Sequence, residues 1–286
     1  MPSSAEALLE LLDLETIDLN LFRGRQPDTE RQRVFGGQVA AQSLVAAART
    51  APEETSVHSL HSYFLRPGDH EMPIVYDVDR LRDGRSFATR RVIARQHGRP
   101  IYALTASFHV QEEGFEHQDV SIDVPSPEES VDLLSLISGD KRRRDEWVRE
   151  WSALDFRIAD RNPPLGGDDD GTPARAAYWV KVSGSLPDDP LVHQAALAYL
   201  SDLTLIGVSL LRHGLHPNHH DVQAASLDHT VWFHRPFRAD RWWLYDQVSP
   251  TAVGGRGLAT ARVFTEDGTL VATVAQEGLI RPRRDG

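Results

Sequence analysis

The chain contains no cysteine, which excludes disulfide bonds, thiolate zinc sites and cysteine nucleophiles. Lysine is almost missing as well, since Lys141 and Lys181 are the only two, so nearly all of the positive charge is guanidinium. The 31 basic residues are outnumbered by 42 acidic ones, which gives a formal net charge of -11. Because nucleic-acid phosphates need a net basic face, this balance argues against a nucleic-acid partner.

Several catalytic motifs are also missing. The sequence has no Gly-x-Ser-x-Gly, no Gly-Lys dipeptide and no His-Glu-x-x-His, so a serine-nucleophile elbow, a P-loop and a zincin site are not expected. The one histidine-rich stretch, HGLHPNHHD at 213–221, has the residues for a metal site. Beside Pro217 and Asn218 in a short loop, solvated histidines are the better interpretation. We therefore predict no metal and no other cofactor.

The sequence shows no sign of targeting or of a membrane span. The stretch MPSSAEALLELLDLE has no basic start and is too acidic for a signal or transit peptide, and RPRRDG carries no peroxisomal or retention signal. The longest apolar stretch, about 192–211, contains His193, Gln194 and Asp202, which favours a buried helix. We expect a soluble, cytoplasmic protein without a membrane partner.

Three segments of the first half recur in the second half, in the same order and at nearly the same spacing. Such self-similarity indicates a duplicated domain. We predict an N-terminal repeat over 1–115, an acidic and charged linker over 116–152, and a C-terminal repeat over 153–286. The pairs are HSLHSYFLRPGD with LDHTVWFHRPFRAD, GRSFATRRV with GRGLATARV, and HGRPIYALTAS with DGTLVATVAQE.

Each copy has the same order of predicted elements. An apolar helix rich in alanine and glycine comes first, over 34–49 and again over 192–213, and four strand-like segments follow. Glycine turns at His97-Gly98 and Asp267-Gly268 join the last two strands of each copy, as hairpins prefer. Short connections and alternating polarity predict antiparallel pairing. The sequence thus favours an α+β fold in which each curved sheet wraps one long helix.

Asp202 is out of place in the apolar run LAYLSDLTLIGVSLL at 197–211. A buried carboxylate is costly unless it is paired or hydrogen-bonded. Two structural explanations are that Ser201 and Asp202 cap a second, shorter helix that starts at Leu203, and that Asp202 lies on an exposed face. The functional hypothesis is a carboxylate in a half-buried cleft that orients or deprotonates water.

Gln276 is a second polar residue at an apolar position. Strict alternation places it on one face with Leu270, Ala272 and Val274. Two explanations remain open: the side chain satisfies backbone groups at a strand end, or its amide, a fixed donor and acceptor, holds a bound water.

Four motifs together carry a family resemblance: FGGQVAAQSL, HSYFLRPGD, LDHTVWFHRPF and LVATVAQEGLIR. In this order they resemble the acyl-CoA thioesterase II family of the TesB type, and the resemblance runs from about Leu19 to Arg281. It implies a double hotdog, two tandem repeats with a long helix in each curved antiparallel sheet. It also implies hydrolysis of acyl-CoA to fatty acid and CoA without a covalent acyl-enzyme, by a homodimer or homotetramer. The alternatives are a hotdog enoyl-CoA hydratase or dehydratase, and a non-enzymatic acyl-CoA-binding module.

The resemblance also implies which side chains hold the attacking water: Asp202, Ser226 and Gln276. Many relatives carry threonine where this chain has Ser226. Alternation groups Ser226 with Asp228 and Thr230, so a bulge or an irregular strand start is needed to aim its hydroxyl inward.

Further candidates surround this trio. Backbone N–H groups at the start of the first helix, near Gly36, Gly37 and Gln38, are predicted to bind the carbonyl oxygen, with His58 and His61 bordering the site. The CoA phosphates call for arginine, and each candidate has surface charge as its alternative explanation. These candidates are Arg66, Arg90, Arg91 and the run Lys141 to Arg144.

Overall fold

The structure, a computed structural model, describes residues 1–136, 141–159 and 174–283, without the side chains of Leu136 and Arg143. Its helices are α1 (Ala5–Leu12), α2 (Gly36–Ala48), α3 (Leu133–Leu136), α4 (Lys141–Trp151), α5 (Pro190–Ser201) and α6 (Leu205–Leu211). The first strands are β1 (Glu15–Asp18), β2 (Leu21–Gly24), β3 (Thr55–Phe64), β4 (Ile74–Asp83), β5 (Phe87–Gln96), β6 (Arg99–Val110) and β7 (Val131–Asp132). The later strands are β8 (Leu154–Ile158), β9 (Ala174–Val182), β10 (Val222–Ser226), β11 (Asp228–Phe233), β12 (Trp243–Val253), β13 (Arg256–Thr265) and β14 (Leu270–Pro282).

The strands form one antiparallel sheet whose order repeats about its centre. From one edge to the other it runs β1-β2-β4-β5-β6-β3-β11-β14-β13-β12-β9-β8-β7, and β10 also pairs with β14. The four strands β4-β5-β6-β3 are thus matched in reverse by β11-β14-β13-β12, and β3 pairs with β11 where the halves meet. These eight strands coincide with the segments that alternation predicted. The exact domain boundaries stay a prediction.

The hairpins follow from local sequence. In the β5–β6 turn, His97 has a φ of 49° and Gly98 a φ of 72°, and Gly98 supplies the left-handed conformation without steric cost. Two residues with positive φ suit the twist of a tight hairpin. The sequence prediction of a hairpin at this dipeptide is confirmed.

Helices α2 and α5 lie in the core against the sheet and against each other. Helix α2 exposes almost nothing, and Ala40, Ala41, Ala46 and Ala47 are fully buried. Helix α5 starts at Pro190, and the Asp189 side chain caps it by accepting the Leu191 N–H at 2.9 Å. Small side chains on α2 let the strands of the first half approach this helix closely, and let α2 and α5 pack against each other.

The predicted single helix over 192–213 is wrong, because the chain leaves the helical path after Ser201 and resumes it at Leu205. Strand β12 stabilises this break: the Tyr245 hydroxyl donates to the Ser201 carbonyl at 2.8 Å, and Gln247 Nε2 donates to Thr204 Oγ1 at 2.6 Å. A second, shorter helix does form, as one alternative proposed, but it begins at Leu205 and Thr204 is its N-cap residue.

The segment Pro190–Leu211 is also long and apolar enough to cross a membrane, with a mean hydropathy of 1.4. Of its apolar 18-residue window, 72% is buried inside the protein. Its hydropathy is therefore that of a core segment, since α5 packs against α2 and α6 packs against β9, β12, β13 and β14.

Candidate active site

Three polar side chains converge from three separate elements. Asp202 lies at the break between α5 and α6, Ser226 ends β10, and Gln276 stands in the middle of β14. Gln276 Nε2 donates to Asp202 Oδ1 at 2.5 Å and lies 3.2 Å from Ser226 Oγ. Ser226 Oγ in turn lies 3.4 Å from Asp202 Oδ1. The family resemblance assigned these three residues to one site, and they do lie together.

Asp202 is buried, with 7% of its surface exposed, so the exposed-face alternative is wrong. Burial raises the pKa of its carboxyl from an ordinary 3.8 to about 6. Hydrogen bonds from Gln276, Ser226 and the Gly37 backbone N–H limit this rise, as does the positive charge of Arg31. The result is a carboxylate that is ionised at neutral pH and whose proton affinity is high for an aspartate.

A register shift aims Ser226 inward. Ser226 pairs with Gly278, whereas Thr230 on β11 pairs with Ala275. The chain from β10 to β11 therefore has one residue more than the stretch of β14 that it pairs with. Asp228 bridges this irregularity, because its carboxylate accepts the Glu277 backbone N–H at 2.6 Å. The irregular strand start that alternation required is therefore present.

Gln276 occupies the inward row of β14, as predicted, and is 1% exposed. Its Nε2 faces the carboxylate, because the opposite amide orientation would bring two acceptors together. Its Oε1 is buried and has no hydrogen-bond partner among the described residues. A buried acceptor without a partner is costly, which makes Oε1 available to a donor from a bound molecule.

The N-terminus of α2 abuts the carboxylate. A Cβ on Gly36 would collide with Asp202 Oδ2 and lie 2.7 Å from Phe64 Cε1. A Cβ on Gly37 would collide with the Tyr199 carbonyl oxygen. Both glycines are thus needed for this close approach, and the positive end of the helix dipole favours the ionised form of Asp202.

Gln38 is less suited to the predicted oxyanion role than the two glycines. Its backbone N–H bonds to the Phe35 carbonyl at 3.2 Å, within the first turn of the helix. Its side chain is buried, and Nε2 donates to Gln26 Oε1 at 2.9 Å. Gln38 therefore fixes the N-terminal segment against α2.

The prediction that His58 and His61 border the site is wrong. Leu60 and Ser62 of β3 are buried, whereas His61 between them is exposed on the opposite face of the sheet, with its ring 5.3 Å from that of Trp232. His58 bonds to Ser107 Oγ at 2.8 Å on that same outer face. A register shift in β3 between Val57 and Ser59 hides this arrangement from a simple alternation.

The arginines predicted to bind CoA phosphates do not gather at the trio. Arg90 is 1% exposed, and its guanidinium is bonded to the Thr50 carbonyl and to Asp83, so it is not available to a phosphate. Arg91 pairs with Asp79 on the surface, and Arg66 donates to the Pro100 carbonyl at 2.7 Å. Neither of these two has a contact with the trio.

Two residues near the site were missed by the sequence analysis. His229 is fully buried, its Nε2 lies 2.8 Å from Ser201 Oγ, and burial lowers its pKa to about 4. Only its place in the DHTVWF motif pointed to it. Arg31 lies over the rings of Phe35 and Trp151, at 5.8 and 5.5 Å, and no motif marked it.

A cavity of about 660 Å³ lies between α4 and the segment that contains Arg31. Lys141 and Arg142 of the predicted basic run thus lie on the same cavity as Arg31, whose positive charge lowers the pKa of Asp202. Its lining is of mixed charge: Glu30, Arg31, Lys141, Arg142, Asp145, Glu146, Arg149 and Glu150.

Comparison with known proteins identifies the family. The acyl-CoA thioesterase family model matches residues 148–279, and the model of the acyl-CoA thioesterase N-terminal domain matches residues 25–109. Acyl-CoA thioesterase 2 of Haemophilus influenzae is 43% identical over 276 residues, which is 96% of each chain. This chain belongs to the acyl-CoA thioesterase family. It is a thioester hydrolase of the TesB type.

Further matches extend along nearly the whole thioesterase. Human acyl-coenzyme A thioesterase 8 is 41% identical, covering 95% of this chain and 88% of its own. The crystal structure of acyl-CoA thioesterase II TesB2 from Mycobacterium marinum superposes with a TM-score of 0.83 at 44% identity, covering 96% of this chain and 98% of that one.

The fold of the thioesterase is a double hotdog of the α+β class. A protein from Alicyclobacillus acidocaldarius with a hot dog fold superposes with a TM-score of 0.77 over 97% of this chain and 99% of that one, and at 22% identity it bears on the fold alone. The alternatives of a hydratase or a non-enzymatic binding module are set aside by the thioesterase relatives.

Proposed function

We propose that this thioesterase hydrolyses acyl-CoA by direct attack of a water molecule held by Asp202, Ser226 and Gln276. The observation that carries the proposal is the buried Asp202 carboxylate, hydrogen-bonded to Gln276 Nε2 at 2.5 Å and beside an unpartnered Gln276 Oε1. A carboxylate with a pKa of about 6 is a stronger base than an ordinary aspartate and is still ionised at neutral pH.

Each side chain has a separate role in the attack. Asp202 accepts a proton as the water oxygen bonds to the thioester carbon. Gln276 Oε1 accepts the second water hydrogen, and Ser226 Oγ fixes the position of the water oxygen. As the tetrahedral intermediate collapses, the C–S bond breaks and Asp202 returns its proton to the thiolate sulfur. The products are one free fatty acid and one CoA thiol.

Charge that develops on the carbonyl oxygen needs a preorganised donor. The start of α2 lies at the site, since a Cβ on Gly36 would meet the Asp202 carboxylate. The Gly37 N–H already interacts with that carboxylate. We therefore assign the carbonyl oxygen to the Gly36 N–H, assisted by the dipole of α2.

The CoA part needs cations near the entrance to the site. The cavity of about 660 Å³ presents Arg31, Lys141 and Arg142, and the charge of Arg31 acts on Asp202. Guanidinium groups bind phosphate oxygens in bidentate geometry. We assign the CoA phosphates to these three side chains, with the thioester directed from the cavity toward the trio.

The experiment that tests the proposal is free-thiol release from palmitoyl-CoA by wild type and Asp202→Asn. We expect a fall in kcat of about a hundredfold or more, the scale of a lost general base. The matched control is Asp77→Asn, because the Asp77 side chain on β4 is exposed, and this variant should keep the wild-type rate.

Rapid-mixing kinetics separates direct attack from a covalent mechanism. Direct attack releases CoA and fatty acid together, whereas an acyl-enzyme on Asp202 gives a burst of CoA equal to the enzyme concentration. A burst, or equal rates for wild type and Asp202→Asn, would remove the water-activation mechanism.

A further inference from the structure

The turn that joins α6 to β10 collects three potential metal ligands in three consecutive positions: His219, His220 and Asp221. One ligand atom from each lies within 4.8 Å of the others. Among the residues that the structure describes, no other group of three histidine or acidic side chains has its ligand atoms this close together. It lies outside the site described above.

The backbone of this turn is held from both sides. The His219 N–H donates to the His216 carbonyl at 2.9 Å, and the Val222 N–H donates to the His219 carbonyl at 3.0 Å. The Asp221 carbonyl accepts the Arg283 N–H at 2.7 Å, which ties the turn to the chain just beyond β14. The three side chains therefore project from a constrained backbone, which lowers the entropic cost of bringing them onto one ion.

The side chains already face one another. The rings of His219 and His220 stack with centroids 4.4 Å apart and planes inclined by 27°. Asp221 lies beside both rings, with one carboxylate oxygen 3.3 Å from His220 Nε2 and the other 3.7 Å from His219 Nδ1. Two imidazoles and one carboxylate thus share a volume that a single cation can occupy.

The position of the group lets an ion reach it from solvent. The His219 side chain is 27% exposed, and those of His220 and Asp221 are 82% and 68% exposed. Beneath the turn, Leu210, Val222 and Ile280 form a small buried cluster that anchors it to the protein. The site is open on one side and supported on the other.

We propose that His219, His220 and Asp221 bind one divalent transition-metal ion of the Ni²⁺, Cu²⁺ or Zn²⁺ class, completed by water. Imidazole suits these metals, whereas Mg²⁺ and Ca²⁺ prefer sets of oxygen ligands. The sequence alone favours solvated histidines in this loop, and the spacing of the ligand atoms is the observation that changes that interpretation.

A bound ion has a consequence for the neighbouring strand. Val222 follows the group directly and starts β10, and that strand ends at Ser226. An ion that clamps the turn therefore holds the first residue of the strand that carries the hydroxyl of the trio. Since it binds the folded turn more tightly than the unfolded chain, it also stabilises the folded protein.

The test is isothermal titration calorimetry of the untagged full chain with Ni²⁺ and, separately, with Mg²⁺. We expect one Ni²⁺ per chain and no Mg²⁺ at the same concentrations. His219→Ala and His220→Ala should each weaken Ni²⁺ binding by at least about tenfold, because even the partners of metal ligands contribute on that scale. His213→Ala, an exposed histidine of the same loop that lies outside the group, should bind Ni²⁺ as wild type does.

Two controls make the outcome decisive. The melting temperature of each variant without metal serves as its own reference, and Ni²⁺ should raise the melting temperature of wild type and His213→Ala but not that of His219→Ala. Equal binding of Mg²⁺ and Ni²⁺ would reveal general attraction to a chain of net charge -11 and overturn the site. So would Ni²⁺ binding that survives both His219→Ala and His220→Ala.

Discussion

Gln276 Nε2 donates a 2.5 Å hydrogen bond to Asp202 Oδ1 across 74 residues of sequence. Burial and this bond act on the carboxylate in opposite directions: burial raises the pKa of Asp202, and the Gln276 amide is the strongest of the groups that lower it. Because the amide comes from the sheet and the carboxylate from a helix break, the proton affinity of the site depends on how these two elements pack.

The pH dependence of hydrolysis should report the ionisation of Asp202. The carboxyl has a pKa of about 6 and must be ionised to accept a proton, so kcat should fall as the pH is lowered through about 6. The measurement is kcat for palmitoyl-CoA between about pH 5 and about pH 8. A flat profile over that range would contradict a role for Asp202 as base.

Replacing Gln276 should move that profile. Gln276→Ala removes the largest of the contributions that lower the Asp202 pKa, so the acid limb of kcat should shift to higher pH while the maximal rate drops. Gln223→Ala, which alters an exposed side chain on β10 bonded to Arg281, is the matched control and should leave the limb in place. A lower rate with an unmoved limb would show that Gln276 acts without touching the ionisation of Asp202.

The same ionisation should make the site a source of instability. A carboxyl whose pKa is 3.8 unfolded and about 6 folded binds more protons when folded, so its contribution to stability falls as pH rises from about 4 to about 6. Above that window, this difference in pKa lowers the free energy of unfolding by about 3 kcal/mol. Asp202→Asn should therefore be more stable than wild type at about pH 8, by up to this amount, and lose the advantage below about pH 4.

Urea unfolding of the two proteins at both pH values measures this difference in the free energy of unfolding. Asp77→Asn again serves as control, since its side chain is exposed. A variant that is less stable than wild type at the higher pH would mean that the hydrogen bonds of the carboxylate outweigh its burial.

The sequence predicted the strands and most of the trio because each depends on a local pattern. Alternation placed Gln276 in the buried row, and Asp202 stood out in an apolar run, both without reference to distant residues. Ser226 was different: its own alternation pointed outward, and only the family resemblance selected it. The register shift that turns it inward is set by its pairing with β14.

What the sequence did not predict depends on distant partners. The break after Ser201 is held by Tyr245 and Gln247, which lie more than forty positions further along the chain. Arg90 shares the inward row of β5 with the buried Ala88, Val92 and Ala94, and what the sequence does not show is that its guanidinium donates to the Thr50 carbonyl and hydroxyl. No local pattern contains such information.

The glycines at the start of α2 should separate effects on activity from effects on folding. In Gly36→Ala the new Cβ meets the Asp202 side chain, so we expect a large loss of kcat. In Gly37→Ala it meets the Tyr199 backbone oxygen, which cannot move alone, so we expect destabilisation of about 1–3 kcal/mol. Gly114→Ala, with no atom within 4 Å of the new Cβ, should match wild type in both kcat and melting temperature.

The cavity beside α4 should control substrate affinity. Arg142→Ala should raise KM for palmitoyl-CoA by about tenfold with little change in kcat, as expected for a lost charged hydrogen bond to phosphate. Arg31→Ala should also raise KM, and it should in addition shift the acid limb of kcat upward, because the charge of Arg31 lowers the Asp202 pKa. Arg91→Ala removes an arginine that pairs with Asp79 away from the cavity, and its KM should equal that of wild type. The opposite result, a raised KM for Arg91→Ala and an unchanged KM for Arg31→Ala and Arg142→Ala, would place the CoA phosphates on the outer surface of β5. The proposal that the substrate approaches from the α4 side would then be wrong.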